Sequence, residues 1–97
     1  MDFKDKVVVI TGGAQGIGRC IAEEFEKVGA TVCVIDKQQG EHFVGDLADK
    51  QMLEQFAKEV IAQHGHVDYL INNAVNCGTI ISKYALSERD LLVFLLL

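Results

Sequence analysis

The feature that most constrains the fold is a glycine-rich segment placed between a short apolar run and a longer amphipathic one. Lys6 to Thr11 is mostly β-branched, is too short for a helix and is apolar on both faces, as in a strand buried within a parallel sheet. Gly12, Gly16 and Gly18 follow, and apolar residues then recur at helical spacing from Ile17 to Val28. This order predicts a strand, a glycine turn and a helix.

Strands and helices continue to alternate along the chain. Gly29 has the position of a C-terminal helix cap, and a second buried strand is predicted over Ala30 to Ile35. Because the connections are short, this β–α–β unit should form a right-handed parallel crossover. The further predicted elements are a brief strand at His42–Val44, a helix that Asp49 caps and that ends at His64–Gly65, and a strand at Val67–Asn72.

The end of the chain is expected to be irregular. We predict a loop from Asn73 to about Ala85 and a last helix that Ser87 caps. The fourth predicted strand, Val67–Asn72, would then be an open sheet edge, which invites pairing with a second chain. Together with the apolar segment Leu91–Leu97, this edge predicts a homo-oligomer.

The elements together predict one α/β domain over residues 1–97 with a Rossmann-like, three-layer αβα architecture. Ninety-seven residues suffice for a single domain only. In a doubly wound sheet the four strands would lie in the order 3-2-1-4, which makes this a truncated parallel sheet. The chain should therefore hold the adenosine half of a dinucleotide-binding fold.

Charge and cysteine usage exclude several classes of function. Nine Lys and Arg against fourteen Asp and Glu give a net charge of −5, so we expect neither a nucleic-acid partner nor an anionic membrane. The three cysteines match no disulfide or zinc pattern, and this favours a reducing, cytoplasmic setting. His42, His64 and His66 lack completing ligands, so no metal site is predicted.

The glycines suit a phosphate-binding turn. Gly12 would permit the tight turn, Gly16 would let the backbone approach a pyrophosphate, and Gly18 would let the helix pack closely on the strands. The helix N-terminus supplies unpaired N–H groups and a positive dipole end, so an acidic chain can still bind an anionic cofactor. The alternative is that the glycines serve only a strand-to-helix turn.

An acidic residue follows the glycines at the end of the second predicted strand. Asp36 lies 18 residues beyond Gly18, close to the roughly 20 expected of a dinucleotide-binding fold. Its carboxylate could accept hydrogen bonds from the adenosine ribose hydroxyls and would repel a 2′-phosphate. NAD is therefore preferred over NADP, although Lys37 argues the other way.

Two motifs resemble those of the short-chain dehydrogenase/reductase family. The segment Thr11–Gly18 is similar to the family's TGxxxGxG signature, and Asn72-Asn73-Ala74 is similar to its NNAG signature. The resemblance runs from about Phe3 to Asn76. It implies that Asp46 and Leu47 line the adenine pocket, that Asn73 and Ala74 contact the cofactor ribose near the nicotinamide, and that Thr11 and Asn72 brace the loop and central strands. The cofactor-binding residues so expected are Gly12, Gln15, Gly16, Ile17, Gly18, Asp36, Asp46, Leu47, Asn73 and Ala74.

The chain departs from the family pattern in two respects. Val75 stands where the family usually has glycine, and the family's catalytic Ser and YxxxK pair belong to a region beyond the last predicted element. Tyr84 is followed four residues later by Glu88 rather than by lysine, so we assign no catalytic residue and place Ser82–Tyr84 in the loop. The resemblance implies an NAD(H)-binding oxidoreductase fragment that is inactive alone. The alternative is a non-enzymatic nucleotide-binding or oligomeric interaction module.

Overall fold

Parallel strands at the centre of one sheet organise the molecule. The computed structural model describes residues 3–73 with their side chains and residues 80–86 as backbone. Within these residues the sheet has five strands in the order β3-β2-β1-β4-β5. The elements are β1 (Val7–Thr11), α1 (Gly16–Lys27), β2 (Thr31–Asp36), β3 (Phe43–Val44), α2 (Lys50–His64), β4 (Val67–Asn72) and β5 (Ile80–Leu86).

The predicted strand order 3-2-1-4 is confirmed. β1 pairs in parallel with β2 and with β4, and β2 pairs in parallel with β3. The side chains of β1 alternate between two buried clusters: Val7 and Val9 pack with α2, while Val8 and Ile10 pack with α1. A helix therefore covers each face of β1, which explains why the strand is apolar on both faces.

Glycine ends α1 as the sequence predicts. Gly29 has a φ of 97°, in the left-handed region, and its N–H donates to the carbonyl oxygen of Glu26 over 3.1 Å. The N–H of Ala30 donates to the Phe25 carbonyl oxygen, also over 3.1 Å. These two bonds form a Schellman motif, which satisfies carbonyl groups that the end of the helix would otherwise leave unpaired.

The second helix also begins and ends where the sequence predicts. The Asp49 side chain accepts hydrogen bonds from the backbone N–H groups of Gln51 and Met52. Gly65 follows His64 with a φ of 82°. The buried residues Leu53, Phe56, Ala57 and Val60 form the stripe that faces the sheet.

The expectation of a loop from Asn73 to about Ala85 is wrong for residues 80–85, which lie in β5. This strand pairs antiparallel with β4, for example Ile80 with Asn72 and Ser82 with Leu70. Strand four is consequently not the open edge that the sequence suggested. The pairing satisfies backbone groups on the outer side of β4, and this long-range gain is not visible in local hydrophobic periodicity.

Some expectations fall outside the described residues. Ala74, Val75, the helix that Ser87 would cap and the segment Leu91–Leu97 belong to this group. Ser82, Lys83 and Tyr84, for which the sequence predicts a loop, lie in β5. Neither α1 nor α2, the two helices of the described residues, has the length and hydropathy of a membrane span.

Candidate functional site

The candidate site lies at the sheet edge where the parallel strands end. β1 ends at Thr11, β2 at Asp36 and β4 at Asn72, and because these strands are parallel their carboxyl ends meet at one edge. From β1 the chain first continues to β2 and β3 on one side of the sheet, and later to β4 on the other side. The gap between the ends of β1 and β4 is therefore a topological switch point. In open α/β sheets, ligands bind in the crevice at such a switch point.

Two glycines of the loop after β1 have backbone conformations that side chains disfavour. Gly12 has a φ of 69° and Gly16 a φ of 62°. A Cβ at Gly16 would meet no atom within 4 Å, so the space beside it is open. The positive φ of Gly12 agrees with the predicted tight turn, and the open space at Gly16 agrees with the predicted access to the backbone.

Gly18 makes the closest approach in the site. A Cβ at this position would lie 2.3 Å from the Gly12 carbonyl oxygen and 2.5 Å from Nδ2 of Asn73. The first turn of α1 thus packs directly against the glycine loop and the end of β4. No larger residue fits without moving the backbone.

Asn73 connects the end of β4 to the glycine loop. Its Nδ2 donates a hydrogen bond to the Gly12 carbonyl oxygen over 3.1 Å. Thr11 and Asn72, which were expected to brace the central strands, are buried neighbours in register on β1 and β4. The sequence predicts only a cofactor contact for Asn73, because its residue type does not indicate this hydrogen bond to the glycine loop.

The Asp36 carboxylate is held by two backbone N–H groups. Oδ2 accepts from Ala14 N–H over 3.1 Å, and Oδ1 accepts from Gln38 N–H over 3.0 Å. The carboxylate therefore lies against the glycine loop, and each oxygen keeps capacity for a further hydrogen bond. Ala14 is absent from the predicted site residues, because nothing in its residue type indicates that its N–H faces Asp36.

The residues after β3 lie next to Asp36. The N–H of Gly45 donates to the Asp36 carbonyl oxygen over 3.0 Å. Oδ1 of Asp46 accepts from Ala48 N–H over 2.9 Å, so this side chain shapes the turn into α2. Leu47 is half-buried against the core cluster under α2.

The N-termini of the two helices differ in how their backbone groups are satisfied. At α1, the preceding Gln15 makes no side-chain cap hydrogen bond, and the first turn contains no acidic residue. At α2, the Asp49 carboxylate accepts from two N–H groups. The α1 terminus is thus left with N–H donors and a positive dipole end for an external anion. Ile17, 71% exposed, lies beside them.

The described side chains offer no metal centre. No group of three or more His, Cys, Asp or Glu residues comes together among them. Of the cysteines in this part of the chain, Cys20 is exposed, while burial raises the pKa of the Cys33 thiol to about 11. Cys33 is therefore protonated at neutral pH.

The chain matches a family model described as short chain dehydrogenase over residues 6–90. It is 37% identical over 87 residues to cis-2,3-dihydrobiphenyl-2,3-diol dehydrogenase of Paraburkholderia xenovorans (strain LB400), which covers 76% of this chain and 31% of that protein. It is 36% identical over 107 residues to xanthoxin dehydrogenase of Arabidopsis thaliana, which covers 89% of this chain and 38% of that protein.

Solved structures give the same comparison. The Cj0485 dehydrogenase matches with a TM-score of 0.70 and 29% identity, over 75% of this chain and 34% of that one. The ligand-free aldohexose dehydrogenase of Thermoplasma acidophilum matches with a TM-score of 0.67 and 29% identity, over 72% of this chain and 29% of that one. The chain spans about a third of the length of the curated relatives it matches.

Proposed function

Because the chain belongs to the short chain dehydrogenase family, we propose that it binds NAD(H) at the carboxyl edge of the sheet, as the adenosine-binding part of an oxidoreductase. The observation that carries the proposal is the uncapped N-terminus of α1 beside the Asp36 carboxylate. The backbone N–H groups of α1 can donate hydrogen bonds to phosphates, and the Asp36 carboxylate can accept hydrogen bonds from ribose hydroxyls. A dinucleotide presents both chemistries on one molecule.

The pyrophosphate would be held by the glycine loop and the first turn of α1. The open space at Gly16 admits a phosphate close to the backbone, because a glycine presents no side chain there. Gln15 and Ile17 flank these donors. In this region backbone N–H groups, rather than basic side chains, would neutralise the ligand.

Asp36 would bind the adenosine ribose. Backbone N–H groups already fix the orientation of its carboxylate, so little conformational freedom is lost when the hydroxyls bind. The same negative charge would repel a 2′-phosphate, so we propose NAD over NADP despite the neighbouring Lys37. Asp46 and Leu47 would line the adenine pocket next to it.

Asn73 and Ala74 would contact the ribose on the nicotinamide side. The Nδ2 group of Asn73 is engaged by Gly12, so its contact to the cofactor would use the Oδ1 atom or the backbone. When bound, the nicotinamide supplies or accepts a hydride. We assign no catalytic residue within this chain, and we propose that it has no appreciable dehydrogenase turnover alone.

Calorimetric titration with NAD, NADP and AMP tests the binding proposal. We expect NAD and AMP to bind and NADP to bind more weakly than NAD. Ile17→Glu places an acid among the phosphate donors and should weaken NAD binding by about tenfold. Gln51→Glu adds the same charge to the first turn of α2 and should leave NAD binding unchanged. Absence of binding for both NAD and AMP would contradict the proposal.

A steady-state assay with NAD and a panel of alcohols tests the proposal that the chain alone has no appreciable dehydrogenase turnover. We expect no turnover that scales with the concentration of this chain. Turnover that does scale with it would show that the chain alone carries catalytic groups. An interaction module without chemistry is the other function class, and failure to bind any adenine nucleotide would favour it.

Location and assembly stay predictions. The cytoplasmic location rests on the cysteine usage. Self-association is now proposed through the apolar segment Leu91–Leu97 alone, because β5 occupies the outer side of β4. Sedimentation of a stable monomer at micromolar concentration would count against it.

A further inference from the structure

Among the described residues, the first four of the six residues of β2 have no neighbouring strand on their outer side. β3 pairs with β2 only at Ile35 and Asp36, through Phe43 and Val44. The preceding residues Thr31–Val34 pair with β1 on the inner side and with no other strand in the described part of the chain. The sheet thus has an open edge four residues long next to a two-residue edge strand.

The hydrogen bonds to β1 fix which backbone groups point outwards. Thr31 N–H donates to the Lys6 carbonyl oxygen, and the Ile35 carbonyl oxygen accepts from Gly12 N–H, each over 2.9 Å. Because residues of a parallel strand alternate between their two neighbours, Val32 and Val34 direct their N–H and C=O groups away from β1. β3 begins to pair with β2 only at Ile35, three residues beyond Val32. The outward N–H and C=O groups of Val32 therefore face the open edge.

The short β2–β3 connection leaves no room for a crossover helix beside this edge, and neither of the described helices lies between β2 and β3 in the chain. Only residues 37–42 join the two parallel strands, whereas such crossovers usually need a dozen residues or more and contain a helix. The connection is closed locally, by a 2.7 Å hydrogen bond between Nε2 of His42 and the Gln38 carbonyl oxygen. The layer beside β2 therefore lacks the element that a longer crossover would supply.

A groove of about 860 Å³ runs along the open edge, from Ala14 of the glycine loop past Val32. Residues of α1 form one wall and residues of α2 form the other. The wall side chains include Glu26 on α1 and Glu59 on α2, and neither has an ion-pair partner among the described residues. The base of the groove is apolar, with Val32, Cys33 and Val34 only half-buried.

We propose that an extended, cationic polypeptide segment docks in this groove by adding a strand to the Thr31–Val34 edge. The outward groups of Val32 would supply main-chain hydrogen bonds, and Glu26 and Glu59 would attract basic side chains. A second copy of the chain is the poorer occupant. Docking of a second copy would bring the glutamates of two grooves close together. Because each chain has a net charge of −5, it has no excess of basic side chains to offset their repulsion.

Amide hydrogen exchange with a defined probe tests the proposal. The probe is an acetylated and amidated heptapeptide of alternating lysine and valine. We expect the Val32 amide to exchange quickly in the free protein and to become protected when the peptide is added. The Thr31 and Cys33 amides point towards β1 and should be protected in both states.

Variants of the walls test the charge component without altering the strand. Glu26→Gln combined with Glu59→Gln should weaken peptide binding by about fivefold, as expected for two partly screened charges. The matched control, Glu24→Gln with Glu54→Gln, makes the same charge change on the same two helices outside the groove and should bind as the unaltered chain does. A peptide of alternating glutamate and valine should not bind.

Any one of the following outcomes would overturn the proposal. The first is no saturation by the lysine peptide below about 1 mM, the weak end of specific binding. The second is binding without protection of Val32, or equal weakening by the two pairs of variants. The third is a concentration-dependent dimer that protects Val32 in the absence of peptide, which would make a second copy the occupant. None of these readouts depends on cofactor binding, so they test this groove separately from the proposed function.

Discussion

The Asn73 side chain donates a 3.1 Å hydrogen bond to the carbonyl oxygen of Gly12 and so joins the end of β4 to the turn after β1. Gly18 lies against both partners of this bond. A Cβ atom at this position would lie 2.3 Å from the Gly12 oxygen and 2.5 Å from the Asn73 nitrogen. Asn73 thus forms one packed junction with two residues of the glycine loop that lie more than 50 positions earlier in the sequence. The shape of the glycine loop depends on this junction as well as on the conformations of the glycines themselves.

Gly18→Ala should destabilise the fold. The new Cβ would lie 2.3 Å from a backbone oxygen, which can move only together with the loop. We expect a loss of about 2 kcal/mol in the free energy of unfolding, typical of overpacking, measured by urea denaturation. Gly16→Ala is the comparison, because it introduces strain at positive φ without a clash and should cost about 1 kcal/mol. A Gly18→Ala variant as stable as Gly16→Ala would contradict the importance of the contact.

Asp36→Asn should change cofactor preference. The substitution removes the charge that repels a 2′-phosphate while keeping an oxygen acceptor towards Ala14 or Gln38. We expect the ratio of NAD to NADP affinity to fall by about tenfold, measured by calorimetry. Asp49→Asn removes a charge at the start of α2, outside the proposed cofactor site, and should leave the ratio unchanged. An unaltered ratio in Asp36→Asn would mean that another group selects the cofactor.

Asp49→Ala should weaken the start of α2. The carboxylate accepts hydrogen bonds from Gln51 N–H over 3.0 Å and from Met52 N–H over 3.4 Å. Loss of these bonds should lower the free energy of unfolding by about 1 kcal/mol. Asp49→Asn retains the acceptor and should stay close to the unaltered chain in the same denaturation experiment. Equal losses in both variants would assign the effect to charge rather than to the cap.

Cys33 should react slowly with alkylating reagents. Burial raises its pKa from its usual value of 9.0 to about 11, so at pH 8 only about one thiol in a thousand is ionised. The alkylation rate at Cys33 should rise about tenfold per pH unit up to pH 10. The exposed Cys20 serves as an internal reference in the Cys77→Ser background, with mass spectrometry as the readout. A rate at Cys33 that levels off near pH 9 would contradict the shift.

The same pKa shift has a consequence for stability. The neutral thiol is favoured in the folded state, so its contribution to the free energy of unfolding is fully present below about pH 9. It is lost as the pH rises from 9 to about 11, because the unfolded thiol ionises first. Cys33→Ala should remove this component of the alkaline pH dependence.

Local signals in the sequence were sufficient for most of the secondary structure. Gly29 and Asp49 mark helix ends through bonds to residues at most four positions away, and β4 has the predicted bounds Val67–Asn72. β1 and its two neighbours were predictable as parallel because an apolar strand on both faces needs helices on both sides.

Tertiary structure decided the features that depend on pairing between distant residues. β5 forms because the outer side of β4 offers unpaired backbone groups, and Ala14 holds Asp36 only because β1 and β2 end side by side. The open edge at Val32 likewise follows from where β3 happens to begin. The sequence by itself determined which segments become strands and helices, since capping, turn geometry and periodicity act over a few residues. The partners of each strand edge were decided only when the whole sheet was assembled, since backbone hydrogen bonds between strands carry no local residue signature.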